Sequence, residues 1–150
     1  MYTVGYDESA LVLVAIRSPG DCDNGEYLEL MAALQRLADE ANARGAVGRY
    51  LILIKEGSVP PSAWERMSAA TLVGQKADLR LALVTRSPAF RSVLTALGRA
   101  VPEFGARSAS FATVEEAATW LQKTSGQDSG AVRRLLAQAE TAALRTQRAG

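Results

Sequence analysis

Runs of mostly apolar residues divide the chain into predicted strands. Three of them, LVLVAI, YLILI and LRLALV, occupy residues 11–16, 50–54 and 79–84. The first two lack the alternation of apolar and polar residues found in a strand with one solvent-exposed face. They therefore predict a sheet covered by helices on both faces. A weaker strand, YTVGY at 2–6, is expected to form a hairpin with the first run. A short polar strand, RSASF at 107–111, is expected near an edge.

Apolar residues recur at helical spacing between these runs. The segment 25–44 predicts a helix that ends at Gly45, because glycine adopts the left-handed conformation found after many helices. Its stripe consists of Tyr27, Leu30, Met31, Leu34, Ala38 and Ala41. Ser62 and Glu65 have the spacing of a capping box at the start of a second helix.

Two further helices have clear start signals. Ser87 is expected to cap a helix with Pro88 in its first position, where a missing N–H costs nothing. Thr113 and Glu116 have the capping-box spacing at the start of the segment 114–123. The alternation of strands and helices predicts an α/β fold with a mixed sheet of about five strands and a mostly parallel centre. The leucines and isoleucines of these elements are expected to share one core, formed by Leu13, Ile16, Leu34, Leu51, Leu53, Leu81, Leu83, Leu94 and Leu121.

The C-terminal part of the chain predicts an extra helix. The core is expected to end at residue 123, and TSGQDSG at 124–130 is interpreted as a linker. A final amphipathic helix over 131–148 carries an apolar stripe of Val132, Leu135, Leu136, Ala139 and Leu144. An isolated helix of this length is marginal in water, so the stripe must be buried by its own domain, by a second copy or by another protein. We interpret it as an interaction helix.

The composition excludes most common kinds of catalytic and metal-binding site. The 150 residues include no histidine and one cysteine, Cys22, so histidine catalysis and the usual zinc sites are excluded. The sequence contains neither a P-loop nor a G-x-G-x-x-G motif. Strand ends carry Arg17, Lys55 and Thr85 instead of clustered aspartates. We therefore predict a protein that is not an enzyme and uses no metal or cofactor.

Charge and hydropathy indicate the compartment and the class of partner. The net charge is +1, which gives no global field toward nucleic acid. The longest apolar runs are too short to span a bilayer, and the first ten residues lack the features of a signal peptide. A single cysteine fits a reducing compartment. We expect a cytoplasmic protein that binds another protein or a second copy of itself.

One loop region has candidate binding chemistry. The stretch 55–64 follows the third predicted strand, beyond whose carboxyl end α/β folds commonly bind ligands. Ser58 and Ser62 lie near the start of the next predicted helix, where backbone N–H groups favour a phosphate. Arg86 is expected at the mouth of a groove formed by residues 56–64 and 85–90. This groove predicts, as an alternative, a module that binds a small anionic molecule or a lipid.

The element order, the strand–helix unit ALVTRSPAFRSVLTAL and the closing FATVEEAATWL resemble the STAS-like superfamily. This is the sulfate-transporter and anti-sigma-factor-antagonist group, with stand-alone bacterial members, and the resemblance covers residues 2–123. It implies a sheet with helices mainly on one side and an antiparallel edge. It also implies a regulatory phosphorylation site after the third strand, where Glu56 matches the family's acidic residue and Ser58 is the nearest hydroxyl. The family's paired hydroxyls and following glycine are absent from EGSV. The resemblance implies a non-catalytic regulatory or protein-interaction domain.

Overall fold

The computed structural model describes residues 1–19, 24–55 and 76–149. Within these ranges the strands are β1 (Tyr2–Asp7), β2 (Val12–Arg17), β3 (Gly48–Ile54), β4 (Leu79–Val84) and β5 (Ser108–Phe111). The helices are α1 (Asn24–Arg44), α2 (Pro88–Ala100), α3 (Pro102–Arg107), α4 (Val114–Ser125) and α5 (Gly130–Ala149). The proposed capping box of Ser62 and Glu65 lies outside the described residues.

The strands form one mixed sheet in the order in which they occur along the chain. β1 pairs antiparallel with β2, with Gly5 opposite Val14. The pairs β2–β3, β3–β4 and β4–β5 are all parallel. The protein is therefore an α/β protein, and the hairpin, the parallel centre and the edge position of the polar strand are confirmed.

The strand order determines which face each helix covers. Successive parallel strands step in one direction across the sheet, so connections of one common hand place their helices on one face. Both α1 and α2 pack on that face, together with Phe104 of α3. The opposite face is covered by α4 and α5, which come after the last strand.

The predicted core residues divide between two clusters, one on each face of the sheet. The first cluster contains Leu13, Leu34, Leu81, Leu83 and Leu94. The second contains Ile16, Leu51 and Leu121, with Leu53 partly buried against it. The expectation of one shared core is wrong, because neighbouring residues of a strand point to opposite faces and both faces here are covered.

The predicted helix boundaries agree with the structure. α1 ends at Arg44, and Gly45 follows with φ of 58°. The hydroxyl of Ser87 accepts the Phe90 N–H at the start of α2, where Pro88 is the first residue. These ends are local in origin, since each depends on a residue type suited to one backbone conformation.

The short helix α3 was absent from the sequence prediction. It meets α2 where two glycines approach closely, and a Cβ atom on Gly105 would lie 2.6 Å from the carbonyl oxygen of Gly98. Only a residue without a side chain fits there. The contact depends on how two helices cross, and a pattern along a single helix does not show it.

The apolar stripe of α5 packs on the sheet of its own domain. The helix lies over β1 and β2. Four members of the stripe, Val132, Leu135, Leu136 and Ala139, belong to the second hydrophobic cluster. Leu144, the fifth, is 49% exposed. Of the three surfaces considered for this helix, its own domain buries the stripe, so those four side chains are not exposed to a partner.

The predicted linker 124–130 is mostly a short turn, because α4 continues through Ser125 and α5 begins at Gly130. Ser125 still belongs to α4, and Gly126 ends that helix with φ of 72°, its N–H donating to the carbonyl of Gln122. The N–H of Gly130 donates to the Asp128 carboxylate at 2.7 Å. The turn thereby defines where α5 begins.

A buried arginine joins this turn to the sheet. Arg49, at the start of β3, is 3% exposed. Its guanidinium donates to the carbonyl oxygen of Asp128 at 2.6 Å and to that of Ala10 at 3.4 Å. Burial lowers the pKa of Arg49, and the nearby Asp128 carboxylate opposes that shift. One side chain therefore links β3, the β1–β2 turn and the start of α5.

We expect Arg49→Met to lower the free energy of unfolding by about 2–3 kcal/mol, because two buried carbonyl groups lose a charged donor. Arg80→Met is the matched control, because Arg80 lies directly opposite on β4 and pairs with Asp78 near the surface. That change should cost less than about 1 kcal/mol. Urea melts of the two variants measure the difference, and equal losses would contradict a linking role for Arg49.

The β1–β2 turn is held by Asp7. Its carboxylate accepts the Ser9 hydroxyl at 2.7 Å and the Ala10 N–H at 3.1 Å, and it contacts the guanidinium of Arg134 on α5. The hydrogen bond from Ser9 contributes most to lowering the pKa of Asp7, followed by that from Ala10. Leu11 closes the turn with φ of 54°, a conformation that is uncommon for a residue with a side chain.

Stability should therefore depend on the ionisation of Asp7. Since its pKa is lower in the folded state than in the unfolded chain, the stabilisation is complete above the unfolded value of about 4 and is lost as pH falls through the folded value. We expect Asp7→Asn to be less stable than the parent at pH 7 and equal to it at the acid end of the folded range. Urea melts across pH measure this gap, with Glu8→Gln as the charge control. A gap independent of pH would exclude the carboxylate as its source.

Candidate functional site

A cleft opens where the parallel strands β3, β4 and β5 end. Its volume is about 740 Å³, within the usual range for small-molecule sites. The carboxyl ends of parallel neighbours meet at the same edge of a sheet, so three loops contribute to the lining. The lining residues are Leu53, Ile54, Lys55, Val84, Thr85, Arg86, Ser87, Pro88, Ala112, Thr113 and Val114.

Hydrogen bonds shape the loop after β4 into a tight corner. The Thr85 N–H donates to the carbonyl of Phe111 at 3.0 Å, which continues the pairing with β5. The buried Thr85 hydroxyl accepts the Ser87 N–H at 3.1 Å. The Ser87 hydroxyl in turn caps α2. Arg86 is the exposed residue between these two anchors.

At the cleft, the loops that follow two neighbouring strands lead to opposite faces of the sheet. The loop after β4 leads to α2 on the first face of the sheet, and the loop after β5 leads to α4 on the second. Loops that diverge in this way leave a crevice outside the strand ends, and this is where α/β proteins generally bind ligands.

The described lining of the cleft is cationic. It contains Lys55 and Arg86 and no aspartate or glutamate. The first turn of α2 also has no acidic residue, so the positive end of its dipole, beside Arg86, is not neutralised from within that turn. These features favour an anion.

The start of α4, on the other side of the cleft, is electrostatically different. The Thr113 hydroxyl accepts the Glu116 N–H at 3.3 Å and donates to the Glu116 carboxylate, so the predicted cap is present. Glu115 contacts Arg133 of α5, and this hydrogen bond lowers the pKa of Glu115 and raises that of Arg133. Acidic side chains already complement the positive end of the α4 dipole. The start of α2, which has none, is therefore the more favourable place for an anion.

The structure locates only part of the predicted site. Arg86 lines the cleft, and residues 56–64, the other half of the predicted groove, lie outside the described residues. Glu56, Ser58 and Ser62 lie outside the described residues. Sequence reasoning missed Lys55 and Thr85 as site residues, although both were recognised at strand ends, where parallel strands bring side chains together.

The lining combines an apolar wall with polar and cationic groups. Leu53 is only partly buried and, with Val84 and Val114, gives the cleft an apolar wall. Thr85, Arg86 and Ser87 are grouped along the corner after β4, and Lys55 lies at the end of β3. Across the described ranges, no three acidic or cysteine side chains come close enough to hold a metal ion.

No protein-family model, curated protein or solved structure matches the chain. The STAS-like resemblance therefore stays a prediction. Among the helices in the described part of the chain, none is both long and apolar enough to cross a membrane.

Proposed function

We propose that this protein is a non-catalytic binding domain whose cleft takes a small anionic molecule with an apolar part. The observation that supports this most strongly is the position of Arg86. It lies in the corner after β4, where the loops after β4 and β5 diverge toward opposite faces of the sheet. It is also beside the start of α2, whose first turn has no acidic residue.

The chemistry of the lining supports binding and offers little for catalysis. The cleft's cationic side chains, a lysine and an arginine, attract anions and are poor general bases. The threonine and serine hydroxyls are used in local hydrogen bonds that build the corner. A phosphate or carboxylate head group would pair with Arg86, and its apolar part would lie against Leu53 and Val114.

Titration with anions tests this function. Inorganic phosphate, a nucleoside monophosphate and a medium-chain fatty acid would be added separately to isotope-labelled protein and followed by amide chemical shifts. We expect the amides of residues 85–89 and 112–114 to move with at least one of these probes. Arg86→Ala should weaken that binding about tenfold or more, since a charged hydrogen bond contributes about 1.5–3 kcal/mol.

Arg99→Ala is the matched control. Arg99 is also exposed and lies on α2, about 16 Å from the helix start by the rise per residue. Its loss should leave the affinity unchanged. Equal weakening by the two variants would indicate nonspecific attraction, and the absence of shifts near the cleft with all three probes would contradict the proposal.

The regulatory or protein-interaction role that the family resemblance implies is compatible with a ligand-binding cleft. It stays a prediction, as does the role of Ser58.

A further inference from the structure

The first strand, β1, has an outer edge with no strand beside it among the described residues. Within that part of the chain it pairs with β2 alone. The six residues Tyr2–Asp7 pair one to one with β2, so no bulge interrupts the strand. It contains neither lysine nor proline, two of the residues with which proteins commonly protect an edge. The opposite edge, β5, is only four residues long.

Hydrogen bonds at the start of β1 determine which of its residues point their backbone N–H and C=O groups away from β2. Met1 and Ser18 exchange two backbone hydrogen bonds, and the carbonyl of Arg17 accepts from Lys55 on the β3 side. Pairs alternate along an antiparallel ladder. Val4 and Tyr6 therefore direct their N–H and C=O groups away from β2, toward the open edge. Within the described residues, no hydrogen bond outside the sheet ladder involves these groups.

The side chains at this edge match a second copy of the same strand. Val4 is the central outward-directed residue and is 37% exposed. A two-fold axis beside Val4 would place it opposite Val4 of the second copy and Tyr6 opposite Tyr2. Aromatic and β-branched residues form favourable cross-strand pairs. On the other face, Thr3 would meet Gly5, so no bulky side chains collide.

The position of α5 fits the same arrangement. This helix lies over β1 and β2, and adjacent strands are about 4.8 Å apart. If α5 is centred between β1 and β2, it would therefore lie about 10 Å from α5 of the second copy. This is the normal distance for packed helices. The flank of α5 away from Arg133 carries Gln138 and Ala142, both exposed, and Ala142 is small enough for a close approach.

We propose that two copies of this chain associate through β1 to form a continuous ten-stranded sheet, with the two α5 helices side by side. The occupant of the edge is thus a second copy of the chain. The hydrogen bonds between the two Val4 residues are at its centre.

Sedimentation equilibrium of the full chain tests the dimer. We expect a mass of twice the 16.0 kDa of one chain. Val4→Lys should reduce it to one chain, because the change places two ammonium groups against each other at the two-fold axis. Leu144→Lys, a similar change at another exposed apolar residue, should leave the dimer intact. Circular dichroism would show that both variants stay folded, as expected since the outward groups of Val4 do not bond to β2.

A disulfide test fixes the register. In a hydrogen-bonded antiparallel pair the two Cα atoms are about 5.5 Å apart, within reach of a disulfide. In a Cys22→Ser background, Val4→Cys should therefore form a covalent dimer on mild oxidation, and Leu144→Cys should not. A monomeric wild type at all concentrations would overturn the proposal. So would a dimer that survives Val4→Lys or a Val4→Cys variant that does not cross-link.

Discussion

Deleting residues 126–150 is expected to unfold the protein. The deletion removes α5, whose stripe covers β1 and β2, and leaves Val12, Val14 and Ile16 without their cover. Fully burying an apolar side chain of this size contributes about 1.5–3 kcal/mol. Summed over both sides of the contact, the loss is on the order of 10 kcal/mol, comparable to the whole stability of a typical domain.

Thermal melts by circular dichroism and gel filtration measure this effect. The matched control is deletion of residues 145–150 only, because the described part of that end, Arg145–Ala149, is exposed. It should melt as the parent does. A cooperative melt of the longer deletion at the parent's temperature would mean that α5 is not a structural layer.

The second large effect is expected from Leu51→Ala. Leu51 is fully buried on the second face of the sheet, so its truncation should cost about 2–5 kcal/mol. Leu53 occupies the same strand and face but lines the cleft and is only partly buried. Leu53→Ala should therefore cost clearly less. Urea melts compare the two, and equal losses would contradict the cleft at the carboxyl end of β3.

Much of the fold follows from local patterns. Continuous apolar runs identified β2 and β3, and a mostly apolar run identified β4, because both faces of the sheet are covered. Ser87, Thr113 and Gly45 marked helix ends because each satisfies a requirement of the backbone at that position. These signals are contained in a few adjacent residues, and they are therefore readable without the tertiary structure.

What sequence reasoning missed depends on contacts between distant segments. The stripe of α5 predicted that something buries it, and apolar periodicity alone does not say what. α3 depends on the close approach of Gly98 and Gly105 in two separate helices. Lys55 and Arg86 share a cleft only because β3 and β4 are parallel neighbours.

The packing of α5 on β1 has a consequence for how the chain folds. Asp7 and Arg134, which meet at this contact, are 127 residues apart in sequence. The face of β1 and β2 that α5 covers therefore stays uncovered until α5 has been made, and closing such long loops slows folding. The hairpin is made before α5, and until α5 packs its valines Val12 and Val14 lack the cover that they have in the folded protein. A nascent or partly folded chain is thus most prone to aggregation at residues 2–17, and a chaperone would protect the protein best by holding that hairpin until α5 arrives.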